Sequence, residues 1–214
     1  MRDALIHEAL YRTPEFMERI RKGRVVVCGA GALGGNIVEN LVRQGYCRVS
    51  VIDFDKVEER NNSTQPFSIS EVGYLKSKML AFRLFRDTGR EVEYFTQKLN
   101  QVNAAKFLRG ALIIDAFDNH ESRMLLKTYC AANDLNCFHV GISADGTYSE
   151  GIWNETYVVP ADVAEEDVCN NPMARNLVMI TIGIACERMA LFIEKGEKVG
   201  FQFTFKDFKT TEKR

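Results

Sequence analysis

The hydrophobic pattern of residues 24–55 predicts a strand, a helix and a second strand, in that order. An apolar run at residues 25–28 is short enough for a strand that is buried on both faces. A glycine motif, G-x-G-x-x-G, follows directly, and apolar residues at helical spacing come after it. A second apolar run at residues 49–52 ends at Asp53. In such a βαβ unit, the glycines allow backbone N–H groups and the helix N-terminus to approach a phosphate.

The glycine motif and the end of the second strand contain the candidate nucleotide contacts. Within the motif, these contacts are Gly29, Gly31, Ala32, Leu33 and Gly34. Asp53 lies about 20 residues further on, where its carboxylate can accept hydrogen bonds from ribose hydroxyls. Asp55 is either a second ligand contact or an ordinary loop residue. The combination predicts a nucleotide site and does not by itself distinguish a dinucleotide from ATP.

The rest of the chain alternates helical and strand patterns. The predicted helices are two short ones within residues 1–22, then residues 70–86, 103–108, 121–133 and 172–195. The predicted strands are residues 92–96, 111–114 and 137–140, a weakly alternating stretch at 146–159, and 201–205. We therefore expect an α/β fold: a Rossmann-like, doubly wound, mostly parallel sheet with an antiparallel C-terminal extension. We expect residues 1–214 to form a single nucleotide-binding domain.

Composition and charge narrow the classes of partner. The chain has 28 basic and 29 acidic residues, so its net charge of −1 offers no general field for nucleic acid or anionic membrane. No apolar signal segment follows Met1, and the most apolar stretch, residues 176–186, is shorter than the ~20 residues of a membrane span. The six cysteines show no disulfide framework. We expect a cytoplasmic protein with reduced thiols.

The residues after Asp53 indicate which nucleotide is bound. The motifs DFDKVEERNNSTQPF, VGYLK and IIDAFDN occur in this order. Together with the glycine motif they resemble the superfamily of ubiquitin-activating and sulfur-carrier adenylyltransferases, the ThiF/MoeB type, from about residue 24 to residue 205. The resemblance implies that ATP is used with Mg²⁺. It also implies a ubiquitin-like or sulfur-carrier protein as partner, whose C-terminal carboxylate becomes an acyl-adenylate as pyrophosphate leaves.

The resemblance assigns roles to four further side chains. Lys76 matches a lysine that reaches the ATP phosphates, where an ammonium stabilises the charge of the transition state; its alternative is a surface lysine. Asp118 matches the aspartate expected to contact Mg²⁺. Asn61 and Gln65 match the asparagine and glutamine of the polar loop.

One departure from the family pattern concerns the phosphates. Thr64 stands where the family usually has a phosphate-binding arginine, and the C-x-x-C pairs of the usual structural zinc are also missing. If adenylation is retained, another cation must face the phosphates, and Arg60 is the nearest in sequence. In the family, an N-terminal arginine from the second subunit of a dimer also enters the active site. Arg12 is the candidate for that role, and the resemblance implies a homodimer.

Cys169 is the candidate nucleophilic thiol. It is the cysteine that lies in a polar, acidic loop at residues 160–171, just before the predicted long helix. In the family, this crossover loop can carry a cysteine that takes up the activated carrier. A helix N-terminus lowers the pKa of a thiol and nearby carboxylates raise it, so a reactive and a structural role stay open.

Two other functions are consistent with the same βαβ unit. One is an NAD(P)-linked oxidoreductase, although no acid–base pair for hydride transfer stands out and the loop after Asp53 is polar. The other is a nucleotide-binding partner without catalytic activity, which Thr64 motivates.

Overall fold

The computed structural model describes residues 3–161 and 172–213. The strands are β1 (Arg24–Cys28), β2 (Arg48–Ile52), β3 (Glu93–Phe95), β4 (Leu112–Asp115), β5 (Cys137–Ile142), β6 (Tyr148–Trp153), β7 (Gly200–Thr204) and β8 (Lys209–Lys213). The helices are α1 (Ile6–Tyr11), α2 (Pro14–Lys22), α3 (Ala32–Gln44), α4 (Lys76–Thr88), α5 (Gln101–Phe107), α6 (His120–Ala132) and α7 (Arg175–Lys195). Three short 3-10 helices, Asp3–Leu5, Glu59–Ser63 and Ile69–Glu71, complete the described elements.

The strands form one eight-stranded sheet in the order β3-β2-β1-β4-β5-β6-β7-β8. The pairs from β3 through β5 are parallel, and the pairs from β5 to β8 are antiparallel. This arrangement confirms the predicted α/β class with its antiparallel C-terminal extension. The strand order reverses between β1 and β4, and in doubly wound sheets ligands bind in the crevice beyond the carboxyl ends of the strands at that point.

Two clusters of buried apolar side chains cover the sheet. The larger one joins β1 and β2 to α2, α3, α4 and α7, and the smaller one lies between the sheet and helices α5 and α6. The side chains of Val26 and Val27 fall in different clusters because successive residues of a strand point to opposite faces. β1 is therefore apolar on both faces, as its sequence indicates.

The structure corrects the predicted start of α4. Residues 70–86 were expected to form one helix, whereas α4 begins at Lys76. Gly73 has a φ of +89° and Leu75 is extended and bridges to Lys56, so the chain turns before the helix starts. The turn brings Lys76 to the carboxyl ends of the strands.

The strand β8 is absent from the sequence expectation. All five of its side chains are exposed, so it shows none of the alternation that marks a half-buried strand. β8 pairs with β7 through backbone hydrogen bonds, in a register that runs from Gly200↔Lys213 to Thr204↔Lys209. Polar side chains give no sign of such a pairing in the sequence.

Helix α7 is longer than the apolar stretch at residues 176–186. It has 21 residues and contains an 18-residue stretch with a mean hydropathy of 1.7, so by length and composition alone it is long and apolar enough to cross a membrane. In the fold it packs against α3, β6 and β7, and eight of its side chains are buried. These contacts are those of a core helix that covers the extension.

Candidate active site

A cleft of about 540 Å³ opens at the carboxyl ends of the parallel strands. It brings together most of the side chains singled out from the sequence: Gly29, Gly31, Ala32, Leu33, Asp53, Asp55, Arg60, Asn61, Gln65, Lys76 and Asp118. A larger groove of about 780 Å³ lies along the edge strand β3 and contains none of these residues. The chemistry therefore points to the smaller cleft.

The glycine loop contains two kinds of glycine. At Gly34 a Cβ would lie 2.0 Å from the carbonyl oxygen of Gly29, and at Gly29, whose φ is +100°, it would lie 2.8 Å from the Ala116 carbonyl oxygen. These two positions are glycine because backbone packs against them. A Cβ on Gly31 would meet no protein atom within 4 Å, although Gly31 lines the cleft. Gly31 thus leaves space that a ligand can occupy.

We expect Gly31→Ala and Gly34→Ala to impair different properties, ATP binding in the first variant and stability in the second. Gly34→Ala should lower the melting temperature, because its methyl group would overlap backbone. Gly31→Ala should fold like the wild type but bind ATP about ten- to hundredfold more weakly, since overpacking costs about 1–3 kcal/mol. Thermal unfolding and calorimetric ATP titration of both variants measure the two effects. Unchanged ATP affinity in Gly31→Ala would show that the phosphates do not approach this loop.

Asp53 holds the glycine loop in place. Its Oδ2 accepts the N–H of Ala30 at 2.7 Å, and its Oδ1 accepts the N–H of Asp55 at 2.7 Å. Burial raises the pKa of Asp53 to about 6, against the opposing effects of these N–H groups and of the Lys76 charge. Both carboxylate oxygens already have backbone donors, and the predicted contact with ribose stays a prediction.

Lys76 is the first residue of α4 and is held at the cleft wall. Its N–H donates to the Asp55 carbonyl at 2.8 Å, its Nζ lies 3.8 Å from Asp55 Oδ2, and the residue is only 9% exposed. The next residue, Ser77, donates its hydroxyl to the Asp53 carbonyl at 2.7 Å. These contacts fix the start of the helix so that the ammonium reaches the cleft, which contradicts the reading of Lys76 as a surface lysine.

The polar loop is organised by Asn61. Its Oδ1 accepts the N–H of Glu58 at 2.8 Å, and its carbonyl accepts the N–H of Gln65 at 2.8 Å. Asn36 of α3 donates to the Thr64 carbonyl at 2.9 Å and ties the loop to the glycine helix. Gln65 Oε1 is buried and has no hydrogen-bond partner among the described residues. Gln65 is therefore the loop side chain with an acceptor still to satisfy in the cleft.

The two candidate replacement cations lie in different places. Arg60 lines the cleft, and its Nε donates to Glu58 at 2.6 Å. Arg12 does not line the cleft of its own chain: its guanidinium pairs with both carboxylate oxygens of Glu187, at 3.0 and 2.5 Å. It packs over the ring of Phe16 as well. Within one chain Arg12 is thus a contact between the N-terminal helices and α7, and a role in a second subunit stays a prediction.

Asp118 lies on an exposed turn between β4 and α6. Asn119 caps α6 by accepting the N–H of Ser122 at 2.9 Å, and its amide donates to Asp118 Oδ1 at 3.3 Å. Mg²⁺ is usually held by one or two carboxylates together with substrate phosphates. An exposed carboxylate in the candidate nucleotide cleft fits that pattern. The described residues contain no group of three metal-binding side chains.

Arg123 is a cleft residue that the sequence reasoning missed. It lines the cleft from α6, donating to the Phe117 carbonyl at 2.6 Å and to the Tyr157 hydroxyl at 2.6 Å. A basic residue five positions after Asp118, in a helix that starts at His120, was the available signal. Arg123 supports the turn that carries Asp118.

Comparison with known proteins identifies the family of the chain. The sequence profile of the ThiF family matches residues 5–192. The chain belongs to the ThiF family. This result confirms the resemblance noted from the sequence motifs.

Two ThiF-family relatives show how far the likeness reaches. The chain is 36% identical over 117 residues to a sulfur carrier protein adenylyltransferase of Thermus thermophilus, covering 53% of this chain and 43% of that protein. It is 28% identical over 133 residues to a tRNA threonylcarbamoyladenosine dehydratase of Haemophilus influenzae, covering 60% of this chain and 51% of that protein. The chain spans about half the length of these curated relatives.

The fold is similar to the crystal structure of E. coli MccB with ATP. The TM-score is 0.77 at 14% identity, and the match covers 93% of this chain and 66% of that chain. At this identity the likeness shows the fold alone, and the site has to be argued from its own residues.

Proposed function

We propose that the protein is an ATP-dependent adenylyltransferase that activates the C-terminal carboxylate of a small ubiquitin-like or sulfur-carrier protein. The observation that carries this proposal is the convergence of Gly31, Lys76 and Asp118 on one cleft. This cleft offers backbone space for phosphates, a cation, and a carboxylate able to share Mg²⁺ with them. Family membership favours this function over an NAD(P)-linked oxidoreductase.

The proposed reaction is a displacement at the α-phosphorus of ATP. A carboxylate oxygen of the carrier forms a bond to this phosphorus, the bond to the bridging oxygen breaks, and pyrophosphate leaves. Lys76 faces the charge that builds up on the phosphates. Asp118 would hold Mg²⁺, which neutralises phosphate charge when it is bound. Arg60 supplies a further cation in place of the arginine missing at Thr64.

Exchange of labelled pyrophosphate into ATP, measured with a candidate carrier, tests the proposal directly. Carrier-dependent exchange would support adenylation. Tight binding of Mg·ATP without exchange would instead indicate a nucleotide-binding partner that lacks catalysis. The same assay on Arg60→Ala, with ATP binding measured in parallel, tests whether that cation acts on the transition state.

Cys169, which lies outside the described residues, is proposed as the acceptor of the activated carrier. Attack of its thiolate on the acyl-adenylate would form a thioester and release AMP. We expect Cys169→Ser to retain pyrophosphate exchange but to lose the thiol-sensitive adduct between carrier and enzyme seen by mass spectrometry. Cys47, which is exposed and directly precedes β2, provides the matched control Cys47→Ser. An adduct that persists in Cys169→Ser would exclude this role.

We also propose a cytoplasmic homodimer. Leu10 and Tyr11 on α1 are each 78% exposed, and Met179 on α7 is 46% exposed, which is apolar surface that a partner would cover. Light scattering at micromolar concentration should give twice the chain mass. A monomer mass that ATP leaves unchanged would contradict the dimer and would exclude Arg12 acting in a second subunit. The five described cysteines are free thiols, which is consistent with the cytoplasm.

The similarity to a tRNA threonylcarbamoyladenosine dehydratase motivates a second candidate, action on a modified tRNA. The net charge of −1 makes a protein partner the stronger proposal, because RNA binding relies on an excess of basic side chains. Stimulation of ATP turnover by tRNA, without any effect of a carrier protein, would reverse this preference.

A further inference from the structure

A buried chain of polar side chains lies beneath the candidate active site. His139, on β5, is fully buried, and its Nδ1 lies 2.7 Å from Asp115 Oδ2. Its Nε2 lies 2.8 Å from Asn154 Oδ1. Asn154 directs this oxygen toward the ring because its Nδ2 donates to the Lys127 carbonyl at 3.2 Å. Both ring nitrogens therefore lie within hydrogen-bond distance of a side-chain oxygen, so the ring bridges Asp115 and Asn154.

The inner end of this chain shapes the turn that carries Asp118. Asp115 uses one carboxylate oxygen for His139 and the other, Oδ1, to accept the N–H of Phe117 at 3.0 Å. Phe117 directly precedes Asp118, and its carbonyl accepts Arg123 Nε at 2.6 Å. The position of Asp118 thus depends on a carboxylate that does not itself reach the cleft.

The outer end lies in the segment that follows β6. The ring of Tyr157 stacks on His139, with centroids 3.8 Å apart and planes 13° apart. The Tyr157 hydroxyl accepts from Arg123 at 2.6 Å. Asn154 and Tyr157 both belong to this segment, so it is joined to the Asp118 turn by two routes, one through His139 and one through Arg123.

We propose that His139 is a positioning residue that fixes the Asp118 turn by holding Asp115 in place. A fully buried carboxylate that loses its partner is costly and must find another donor or take up a proton. In either case the hydrogen bond to the Phe117 N–H is lost or weakened, and the turn gains freedom. The kinetic part of this inference rests on the proposed adenylyltransferase function, whereas the structural part does not.

The neighbouring residue offers a matched control. Phe138 is also fully buried on β5, but its side chain packs on the other face against Trp153, away from the Asp118 turn. His139→Gln removes the imidazole ring that bridges Asp115 and Asn154, whereas Phe138→Leu lowers stability through packing alone. Comparing the two variants separates a loss of positioning from a general loss of stability.

Hydrogen exchange of the ligand-free protein gives the first readout. In His139→Gln, the peptide containing residues 115–119 should exchange about tenfold faster, as expected when one hydrogen bond is lost. In Phe138→Leu, at comparable thermal stability, this peptide should exchange as in the wild type. Equal exchange in the two variants would overturn the proposal.

The second readout is the Mg²⁺ concentration that gives half-maximal pyrophosphate exchange. We expect this Mg²⁺ concentration to rise about tenfold in His139→Gln and to stay unchanged in Phe138→Leu. A tenfold change is typical when a residue that orients a metal ligand is lost. If the wild type shows no pyrophosphate exchange, the proposed function fails and the hydrogen-exchange result still decides the role of His139. If His139→Gln does not fold, Asn154→Ala replaces it in both measurements; it leaves the ring in place and removes the outer acceptor together with the donor to the Lys127 carbonyl.

Discussion

Asp118→Ala should lose about 10²–10³-fold in pyrophosphate exchange, the usual effect of removing one group from a preorganised charge-stabilising site. The side chain is exposed on the turn after β4 and its described hydrogen bond is to the adjacent Asn119, so few native contacts are lost. Thermal unfolding should therefore change little. The exchange rate at saturating Mg·ATP and carrier, together with the melting temperature, measures both effects.

Glu121→Ala is the control for Asp118→Ala. Glu121 lies three residues further on at the start of α6, is largely exposed and pairs with Lys98. The substitution removes one negative charge from the same helix end at a residue that does not itself line the cleft, although its partner Lys98 does. We therefore expect an exchange rate close to that of the wild type. If the two variants lose exchange equally, the effect comes from local charge and Asp118 has no specific role with Mg²⁺.

Lys76→Ala should also lower pyrophosphate exchange by about 10²–10³-fold, because the residue lines the cleft in which we propose that the ATP phosphates bind. Lys76 is 9% exposed, so alanine would leave space where the aliphatic stem packs. Lys76→Met keeps that stem and removes the charge, and it should lose exchange to a similar degree with a smaller change in stability. Steady-state exchange and chemical unfolding of both variants provide the measurement.

Lys78→Ala is the control for the lysine variants. Lys78 lies on the same helix two residues later, is exposed and is placed near the ring of Phe82. Its loss removes the same charge from α4 and should leave pyrophosphate exchange unchanged. Normal exchange in Lys76→Met would show that the ammonium does not act on the phosphates and would contradict the proposed mechanism.

The pattern of apolar residues and glycines over short stretches of sequence was sufficient to predict the parallel half of the sheet. The apolar runs at β1 and β2, the glycine motif and Asp53 all lie within residues 24–53, and their spacing reflects the repeat of a strand or a helix. Lys76 and Asp118 were identified differently, by short motifs that resemble those of the family. Their meeting in one cleft follows from the rule that parallel strands place their carboxyl ends at one edge.

The antiparallel C-terminal extension of the sheet was harder to predict than the parallel half. β8 pairs with β7 through its backbone while all its side chains face solvent, so no apolar repeat marks it. The start of α4 was misplaced because the positive φ of Gly73 and the bridge between Lys56 and Leu75 end the turn, and helical spacing alone does not reveal either.

By itself the sequence determined the α/β class, through the short-range spacing of apolar residues and glycines, and the family, through the resemblance of its motifs; it also predicted the nucleotide site. Only the tertiary structure decided which glycine leaves room for a ligand: Gly31 and Gly34 belong to one motif, and backbone packs against only one of them. It also decided that Arg12 pairs with Glu187, a residue 175 positions away. The contact between His139 and Asp115 was equally invisible, because such pairs form only when distant strands become neighbours in the sheet.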